Sequence, residues 1–233
     1  MIKCLELYLF EKLQNYQEKR LNRKQVGFVA GFSTQTNLYR IMSLIKYRKS
    51  KFKVMLFIDF KNAYCLVNRQ ILYERIKSKD ILNDEELQLL KFIHENLIVR
   101  LGEQKTRTLK SVPQGSAISP FLFNIFIEEL LDELEEENTE FAAFADDILI
   151  LCNEYTEAVR KFKKVQKWAD KVGMVISPSK SGIMFINGYK RDKYAISSEL
   201  VPTVNEYKYH GLLLNNKLDA KNHIEAVKKK VIS

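Results

Sequence analysis

The sequence predicts one α+β domain. Helix-like and strand-like patterns alternate along its 233 residues, and no repeat, linker or Pro/Ser-rich boundary divides them. Apolar residues make up 46% and charged residues 29% of the chain, which are globular values that exclude a disordered or low-complexity protein. Only 8 glycines and 4 prolines are present, which disfavours a loop-rich architecture.

In the first half of the chain, two segments repeat apolar residues at the spacing of one helix face. A β-branched and aromatic run follows, which is typical of a buried strand. Asn83 and Asp84 are good caps for a later helix, and Gly102 divides two short strands into a hairpin. The predicted elements are helices over 2–18, 36–46, 72–79 and 84–97, a strand over 53–58, and a hairpin of 98–101 and 106–112.

The second half begins with a long helix that is apolar at first and acidic at its end. Two apolar strands follow, separated by Asp146 and Asp147, and then an amphipathic helix that stops at Gly173. Short strands and a basic helix complete the pattern. The predicted elements are helices over 120–137 and 154–172, strands over 141–145 and 148–152, short strands near 175 and over 183–186 and 208–214, and a closing helix.

Positive charge is concentrated in one window. The chain has 38 Lys and Arg against 29 Asp and Glu, and residues 19–61 alone hold eleven basic residues and one acid. The net excess favours a polyanionic partner without separating nucleic acid from a membrane surface. A solvated loop accounts for the 46–53 run taken alone, but aromatics between cations are also typical of a surface that binds phosphates and stacks on bases. The residues expected to contact nucleic acid here are Arg48, Lys49, Lys51 and Lys53.

Other classes of protein are disfavoured. The three cysteines are odd in number and have no short pairing, so neither a disulfide framework nor a CxxC zinc site is expected. The apolar start carries Lys3, Glu6 and Glu11, unlike a signal peptide. Apolar runs fall far below the ~18 residues that cross a bilayer. By default, the sequence predicts a soluble intracellular protein without a membrane partner, in a compartment that it does not specify.

Acidic residues at strand ends point to metal chemistry. Asp146 and Asp147 separate two apolar strands, which predicts a hairpin with both carboxylates at its tip, and Asp59 closes the strand over 53–58. An Asp-Asp turn can simply end a hairpin. Carboxylates crowded at buried strand ends nevertheless repel one another unless a cation neutralises them, and Mg²⁺ prefers such oxygen ligands. The residues alone leave a plain turn and a metal site for phosphoryl transfer both open.

Several segments, in a fixed order, carry a resemblance to a known enzyme family. Residues 144–147 read Phe-Ala-Asp-Asp, and residues 112–124 read Val-Pro-Gln-Gly-Ser-Ala-Ile-Ser-Pro-Phe-Leu-Phe-Asn. These segments resemble the two central signatures of reverse transcriptases, and the chain is most similar to non-LTR retrotransposon enzymes, with group II intron maturases second. Three further segments match: Gln-Val-Gly-Phe-Val-Ala-Gly-Phe-Ser-Thr at 25–34, Phe-Ile-Asp-Phe-Lys-Asn-Ala-Tyr-Cys-Leu-Val-Asn at 57–68, and Ser-Pro-Ser-Lys at 177–180. Residues 207–211, Tyr-Lys-Tyr-His-Gly, resemble the family's primer-grip turn.

The resemblance implies a reverse transcriptase domain over 1–233, built as a right-hand polymerase palm with a ferredoxin-like βαββαβ core. Partial fingers would occupy 1–52, the palm mainly 53–205, and the primer grip and start of a thumb 206–233. The family's upstream finger strands are not matched. We therefore expect further domains or chains to supply the missing fingers and thumb.

The resemblance also implies RNA-templated DNA synthesis by two-metal nucleotidyl transfer from dNTPs to a primer 3′-hydroxyl, within a retroelement. Asp59 and Asp146 would bind two Mg²⁺ ions, for which Mn²⁺ can substitute, with the Phe60 carbonyl as a further ligand and Asp147 assisting. Lys180 would protonate the leaving pyrophosphate. The implied partners are an RNA template, a DNA primer and dNTPs. The implied contacts with nucleotide or template are Tyr64, Gln114, Gly115 and, in the fingers motif, Gln25.

Two other functions stay open. An RNA-dependent RNA polymerase shares the palm but resembles a Gly-Asp-Asp turn and lacks an aromatic residue five positions after the first aspartate, so Ala145 and Tyr64 speak against it. A catalytically inactive palm remnant would act as a nucleic-acid-binding or scaffold protein. The incomplete fingers and thumb favour that alternative, and the three aspartates argue against it.

Overall fold

An antiparallel sheet with helices packed against it organises the computed structural model, which confirms the predicted α+β class. The structure describes residues 2–47, 52–96, 99–101, 104–106, 110–113, 115–137, 139–186, 188 and 201–219. The helices are α1 Ile2–Arg20, α2 Thr34–Tyr47, α3 Ala63–Leu66, α4 Arg69–Ser78, α5 Asp84–Glu95, α6 Ser119–Glu136 and α7 Tyr155–Val172. The strands are β1 Val54–Ile58, β2 Val99–Leu101, β3 Gln104–Thr106, β4 Glu140–Phe144, β5 Asp147–Cys152, β6 Gly182–Phe185, β7 Glu206–Tyr209 and β8 Leu212–Asn215.

The main sheet has the topology that the resemblance implied. Its strand order is β4-β5-β1-β6, and β1 pairs antiparallel with both β5 and β6. In chain order, α6 lies between β1 and the β4–β5 hairpin, and α7 connects that hairpin to β6. Together these elements form the βαββαβ core of a ferredoxin-like palm. The β2–β3 and β7–β8 hairpins form separate two-stranded sheets.

Strand β1 lies between two hydrophobic clusters. Leu56 and Ile58 belong to the larger cluster, beneath the helices that cover one face of the sheet. Met55 and Phe57 point the other way, into a cluster with Ile41 of α2 and side chains of the β7–β8 hairpin. Because successive side chains of a strand point to opposite faces, burial on both faces explains why β1 is apolar throughout. None of the helices in the described residues is long and apolar enough to cross a membrane.

Several predicted boundaries need correction. Asn83 alone caps α5: its side chain accepts a hydrogen bond from the Glu86 N–H, and the Glu86 carboxylate accepts one from the Asn83 N–H. The second strand of the predicted 98–112 hairpin lies at 104–106, earlier than expected. The segment near 175 forms only an isolated bridge between Phe60 and Ile176. The predicted closing helix lies outside the described residues.

The predicted strand over 208–214 is a hairpin instead. His210 and Gly211 both have positive φ, 47° and 85°, so the chain reverses between β7 and β8. Tyr209 pairs with Leu212 across the turn. A left-handed pair of residues is what a two-residue hairpin connection requires. Apolar residues lie on both sides of this turn. The sequence pattern therefore did not separate β7 from β8 and predicted a single strand.

Candidate active site

The pairing of β1 with β5 brings Asp59 and Asp147 to the same end of the sheet. The two strands run antiparallel with Ile58 opposite Ile148. The residue that follows β1 and the residue that opens β5 therefore lie side by side. The sequence predicted both positions as strand ends, and the structure shows that the register brings them together.

The tip of the β4–β5 hairpin differs by one residue from the prediction. Asp147 is the first residue of β5, opposite Phe144, so the turn consists of Ala145 and Asp146. Ala145 is left-handed, with φ of 55°. The two aspartates therefore do not share the turn: Asp146 lies at the tip, and Asp147 lies one position along the strand.

The three carboxyl groups are crowded and partly withdrawn from solvent. Burial raises the pKa of Asp59, and the positive charge of Lys180 offsets part of this rise. Burial also raises the pKa of Asp146. Burial, followed by the negative charges of Asp146 and Asp59, raises the pKa of Asp147 to about 7. A cluster whose ionised form is disfavoured in this way has a strong electrostatic reason to take up a cation.

The donor atoms of this cluster fit a hard divalent cation. Oδ1 of Asp59 is buried and has no hydrogen-bond partner in the part of the chain that the structure describes. Carboxylate oxygens are the ligands that such ions prefer. As placed, no group of three or more His, Cys, Asp and Glu side chains in the described part of the chain forms a metal site. The cluster thus has suitable ligand atoms without a closed coordination shell.

Phe60 follows Asp59 in a short backbone pairing with Ile176. The two hydrogen bonds on either side of Phe60 run from the Lys61 N–H to the Val175 carbonyl and from the Ser177 N–H to the Asp59 carbonyl, at 2.7 and 2.8 Å. Neither uses the carbonyl of Phe60. The Phe60 side chain is buried, so this residue contributes packing as well as a backbone oxygen.

A serine-rich turn holds Lys180 beside Asp59. The Ser181 hydroxyl accepts a hydrogen bond from the Asp59 N–H at 3.2 Å, and the Ser177 N–H binds the Asp59 carbonyl. The Tyr207 hydroxyl donates to the Lys180 carbonyl. The ammonium of Lys180 lies 3.7 Å from Oδ1 of Asp59, and its side chain is 69% exposed. Sequence reasoning identified Lys180 but missed the supporting roles of Ser181 and Tyr207.

Tyr64 lies in α3, close enough to Asp146 for the charge of that carboxylate to affect the pKa of the tyrosine. Its ring stacks on Phe123 of α6, with centroids 4.9 Å apart and planes inclined by 15°. Its hydroxyl oxygen is buried and has no hydrogen-bond partner, and burial together with the Asp146 charge raises the pKa of Tyr64. The Val112 N–H donates to the Tyr64 carbonyl at 2.9 Å. The Pro-Gln-Gly segment is thereby tied to α3.

Two predicted residues belong to this segment. Gly115 is exposed, has φ of 88°, and has open space where a Cβ would lie. A positive φ at this position favours glycine over residues with a side chain. Gln114 lies outside the described residues.

The side chain of Gln25, the predicted template contact, lies against the β4–β5 turn. The residue is only 2% exposed. Its side-chain amide donates to the Ala145 carbonyl at 3.0 Å and accepts from the Ala145 N–H at 2.8 Å. The polar atoms of Gln25 are therefore used inside the protein, and its contact with nucleic acid stays a prediction. Nothing in the sequence pattern distinguished the two roles.

The basic window divides between structural and surface positions. Lys24 and Arg40 hold β4, through hydrogen bonds of 2.8 Å from their side chains to the Thr139 and Phe141 carbonyls respectively. Lys53 is exposed and precedes β1, about 20 Å along the strand from Asp59 at about 3.3 Å per residue. The structure therefore does not bring Lys53 to the aspartates. Arg48, Lys49 and Lys51 lie outside the described residues.

His210 lies beside Asp147, a position that the sequence analysis did not predict. Its Nδ1 lies 3.7 Å from an oxygen of Asp147, and its side chain is 6% exposed. The ring packs against Phe144 and Tyr209, and burial lowers the pKa of His210. The proximity depends on how the β7–β8 hairpin packs on the sheet, which local sequence does not report.

Residues 1–214 match the protein-family model described as reverse transcriptase (RNA-dependent DNA polymerase). The chain is 26% identical to an RNA-directed DNA polymerase from the mobile element jockey of Drosophila funebris, over 97% of this chain and 27% of that protein. It is 32% identical to a Pol polyprotein of the type-1 retrotransposable element R1 2 of Nasonia vitripennis, over 51% of this chain and 32% of that protein. The chain thus spans about a quarter to a third of these relatives.

Solved structures share the fold. The apo telomerase of Candida tropicalis superposes with a TM-score of 0.63 at 17% identity, covering 95% of this chain and 40% of that chain. The telomerase of Candida albicans, in complex with a fragment of telomeric RNA, superposes with a TM-score of 0.62 at 12% identity, covering 94% of this chain and 37% of that chain. At these identities the likeness concerns the architecture.

Carboxylate crowding predicts that Asp147→Asn stabilises the ion-free protein at alkaline pH. The folded-state pKa of about 7 lies above the unfolded value near 3.9, so the stability linked to this group is full below about pH 4 and is lost as the pH rises through about 7. The asparagine variant should therefore gain on the order of 1 kcal/mol at pH 8, a figure discounted because the side chain is 37% exposed.

Urea unfolding in the presence of a chelator, at pH 4.5 and pH 8, measures this gain. Asp170→Asn, which changes an exposed aspartate of α7, is the matched control and should show no pH-dependent gain. Equal gains for Asp147→Asn at both pH values would contradict the assigned crowding.

Proposed function

Because the chain belongs to the reverse transcriptase (RNA-dependent DNA polymerase) family, we propose that it catalyses RNA-templated DNA synthesis as part of a retroelement. Its curated relatives are polymerases and Pol polyproteins of mobile elements such as jockey and R1, which supports the retroelement setting. The single observation that carries the proposal is the convergence of Asp59, Asp146 and Asp147, all with raised pKa values, at one end of paired strands.

The proposed reaction joins the primer 3′-oxygen to the α-phosphorus of a dNTP and breaks the bond between the α- and β-phosphates, releasing pyrophosphate. Reverse transcriptases generally use divalent metals, and we propose two Mg²⁺ ions, for which Mn²⁺ can substitute, that stabilise the attacking and leaving oxygens. Asp59 and Asp146 would hold them, with the Phe60 carbonyl as a further ligand and Asp147 in support. Two observations support this assignment: neither hydrogen bond of the Phe60–Ile176 bridge uses the Phe60 carbonyl, and Oδ1 of Asp59 has no hydrogen-bond partner among the described residues.

Lys180 is proposed as the proton donor to pyrophosphate. Its ammonium lies 3.7 Å from Asp59, and the exposed side chain has room to move toward a leaving group. The hydrogen bonds of Ser177 and Ser181 to the Asp59 backbone fix the turn that carries it. The primer 3′-hydroxyl loses its proton to solvent, so protonation of pyrophosphate balances the reaction.

Tyr64 is proposed to select the sugar of the incoming nucleotide, with Gln114 and Gly115 lining the nascent base pair. The Tyr64 ring cannot easily turn aside, because it is stacked on the buried Phe123. A ring held beside Asp146 would occupy the space that a ribose 2′-hydroxyl requires. The same stacking is also consistent with a role of Tyr64 in packing alone. The preference of Tyr64 variants for dNTP or rNTP distinguishes packing from sugar selection.

RNA template and DNA primer are the proposed nucleic-acid partners, and the basic run at 46–53 is the proposed backbone contact. Lys46 and Tyr47 are exposed at the end of α2, and Lys53 is exposed before β1. A cationic and aromatic surface at the far end of β1 from the aspartates suits nucleic acid that extends beyond the reacting nucleotide. We also propose that partial fingers occupy 1–52, the palm mainly 53–205, and the primer grip and start of a thumb 206–233. Further domains or chains would complete the fingers and thumb.

Asp59→Asn and Asp146→Asn are each predicted to abolish primer extension while the fold stays intact. Losing a ligand charge removes the ions on which the chemistry depends. Extension of oligo(dT) on poly(rA) with Mg²⁺ is the measurement, and circular dichroism verifies folding. Asp170→Asn serves as the exposed control and should keep full activity. A folded Asp146→Asn variant that extends primers at the normal rate would end the proposal, and an inactive wild type would favour the palm-remnant alternative.

Tyr64→Val is predicted to admit ribonucleotides while largely sparing dNTP use, because it removes the ring that excludes the 2′-hydroxyl. The measurement is the ratio of kcat/KM for dNTP and rNTP on one RNA template. Tyr64→Phe keeps the stacked ring and should keep the wild-type ratio. An unchanged ratio in Tyr64→Val would assign the residue to packing, and a wild type that already accepts ribonucleotides would favour an RNA polymerase.

Neutralising the basic run should weaken the salt dependence of nucleic-acid binding. Removing one cation that binds a phosphate lowers the slope of log K against log salt by about 0.7–0.9. The variant replaces Arg48, Lys49, Lys51 and Lys53 by glutamine, and the control replaces Lys163 and Lys167, which are exposed on α7. Binding to a labelled template–primer duplex is titrated at several salt concentrations. A slope equal to that of the wild type would show that the run is only solvated.

A further inference from the structure

We infer that Gln25 and Gly27 form a clamp that sets the position of Asp146, and thus act as positioning residues for the aspartate hairpin. The inference rests on the proposed function, because it concerns the geometry of the same carboxylates. It reassigns a segment whose resemblance pointed to template contact. The clamp consists of side-chain hydrogen bonds from Gln25 and a close backbone contact at Gly27.

Gln25 binds both backbone polar groups of Ala145. Its Nε2 donates to the Ala145 carbonyl at 3.0 Å, and its Oε1 accepts from the Ala145 N–H at 2.8 Å. The same oxygen accepts from the Gly27 N–H at 2.9 Å. The buried amide of Gln25 therefore binds the β4–β5 turn and also the backbone of the loop that carries Gln25 itself. Buried polar groups that are satisfied in this way hold a fixed geometry.

Ala145 needs such support because its backbone is left-handed, with φ of 55°. A residue with a Cβ disfavours this region. If the turn relaxed to negative φ, the peptide between Ala145 and Asp146 would rotate, and the carboxylate of Asp146 would move with it. The two hydrogen bonds from Gln25 hold the carbonyl and the N–H on either side of that strained position.

Gly27 permits the loop to approach the turn. A Cβ at this position would lie 2.4 Å from the Ala145 nitrogen and 3.0 Å from the Phe144 carbonyl carbon. Oε1 of Gln25 would also lie at 3.0 Å, but the nearest atom is backbone, so the contact cannot be relieved by a side-chain rotation. A side chain at position 27 would therefore push the loop and the hairpin apart.

Two further buried amides secure the clamp to the helices. The side-chain N–H groups of Asn124, on α6, donate to the Gly27 carbonyl at 2.8 Å and to the Gln17 amide oxygen at 2.7 Å. Gln17, on α1, donates to the Phe28 carbonyl at 2.6 Å. The loop is held on both sides, so displacement of the hairpin tip is resisted by the helical layer.

The experiment compares the 233-residue wild type with Gln25→Met, which keeps the length of the side chain but loses its hydrogen bonds. Asn83→Ala is the control, because the Asn83 side chain caps α5 by accepting from the Glu86 N–H and, among the described residues, bonds neither Ala145 nor the loop that carries Gln25. Amide hydrogen exchange of a peptide spanning β4 and β5, Mn²⁺ affinity by electron paramagnetic resonance, and steady-state primer extension are measured on all three proteins.

For Gln25→Met we expect faster exchange at the hairpin tip and Mn²⁺ affinity that is about 10- to 100-fold weaker, as is typical when a group supporting metal ligands is removed. We also expect kcat to fall by roughly 10²-fold at unchanged KM for template–primer, because a displacement of about 1 Å can have that effect. Asn83→Ala should leave all three readouts near those of the wild type. Ala145→Gly in the Gln25→Met background should recover part of kcat, since glycine adopts positive φ freely.

Wild-type exchange at the tip in Gln25→Met would overturn the clamp, and so would equal effects of Gln25→Met and Asn83→Ala. Gly27→Ala, whose Cβ would push the loop away from the hairpin turn, should also give faster exchange at the tip. If the wild type binds Mn²⁺ but extends no primer, the proposed function fails while exchange and Mn²⁺ affinity still test the clamp. If the wild type polymerises and Gln25→Met is indistinguishable from it, the clamp alone fails.

Discussion

Repulsion between carboxylates at adjacent strand ends is the main electrostatic constraint on this structure. The β1–β5 register sets Asp59 beside Asp147, and the hairpin turn adds Asp146 at the tip. Both faces of β1 are covered, so the strands cannot slip to separate the charges without exposing two hydrophobic clusters. Apolar packing thus holds in place an arrangement that electrostatics opposes. A site proposed to bind two cations gains from such an arrangement.

Local sequence predicted the parts of the site that lie within single elements. The apolar runs ending at Asp59 and flanking Asp146 indicated strand ends, and the order of elements indicated an α+β domain, whereas the palm was implied by the resemblance to reverse transcriptases. The one-residue error at the hairpin tip arose because alternation does not show where a turn begins. His210 could not be predicted beside Asp147, because their proximity depends on the packing of one hairpin on another sheet. Register and long-range packing are properties of the folded chain.

The basic window shows why charge counts overstate a binding surface. Its net charge pointed to a polyanion, yet Lys24 and Arg40 bind backbone carbonyls of the chain itself. Their long side chains cover apolar surface as well, since the Lys24 ammonium lies 4.7 Å from the centre of the Phe141 ring. Composition cannot separate cations that hold a strand from cations that face solvent. Only exposure in the fold, as at Lys53, makes that distinction.

The Lys24–Val26 segment also caps a sheet edge. It hydrogen-bonds to Ala143 on the outer side of β4, and residues 202–204 pair in the same way with Ile183 on the outer side of β6. An uncovered edge strand presents unpaired backbone groups to which another chain can add a strand. These two short segments therefore protect the palm from intermolecular strand addition. A change that loosens the loop before α2 would be expected to promote aggregation as well as disturb the active site.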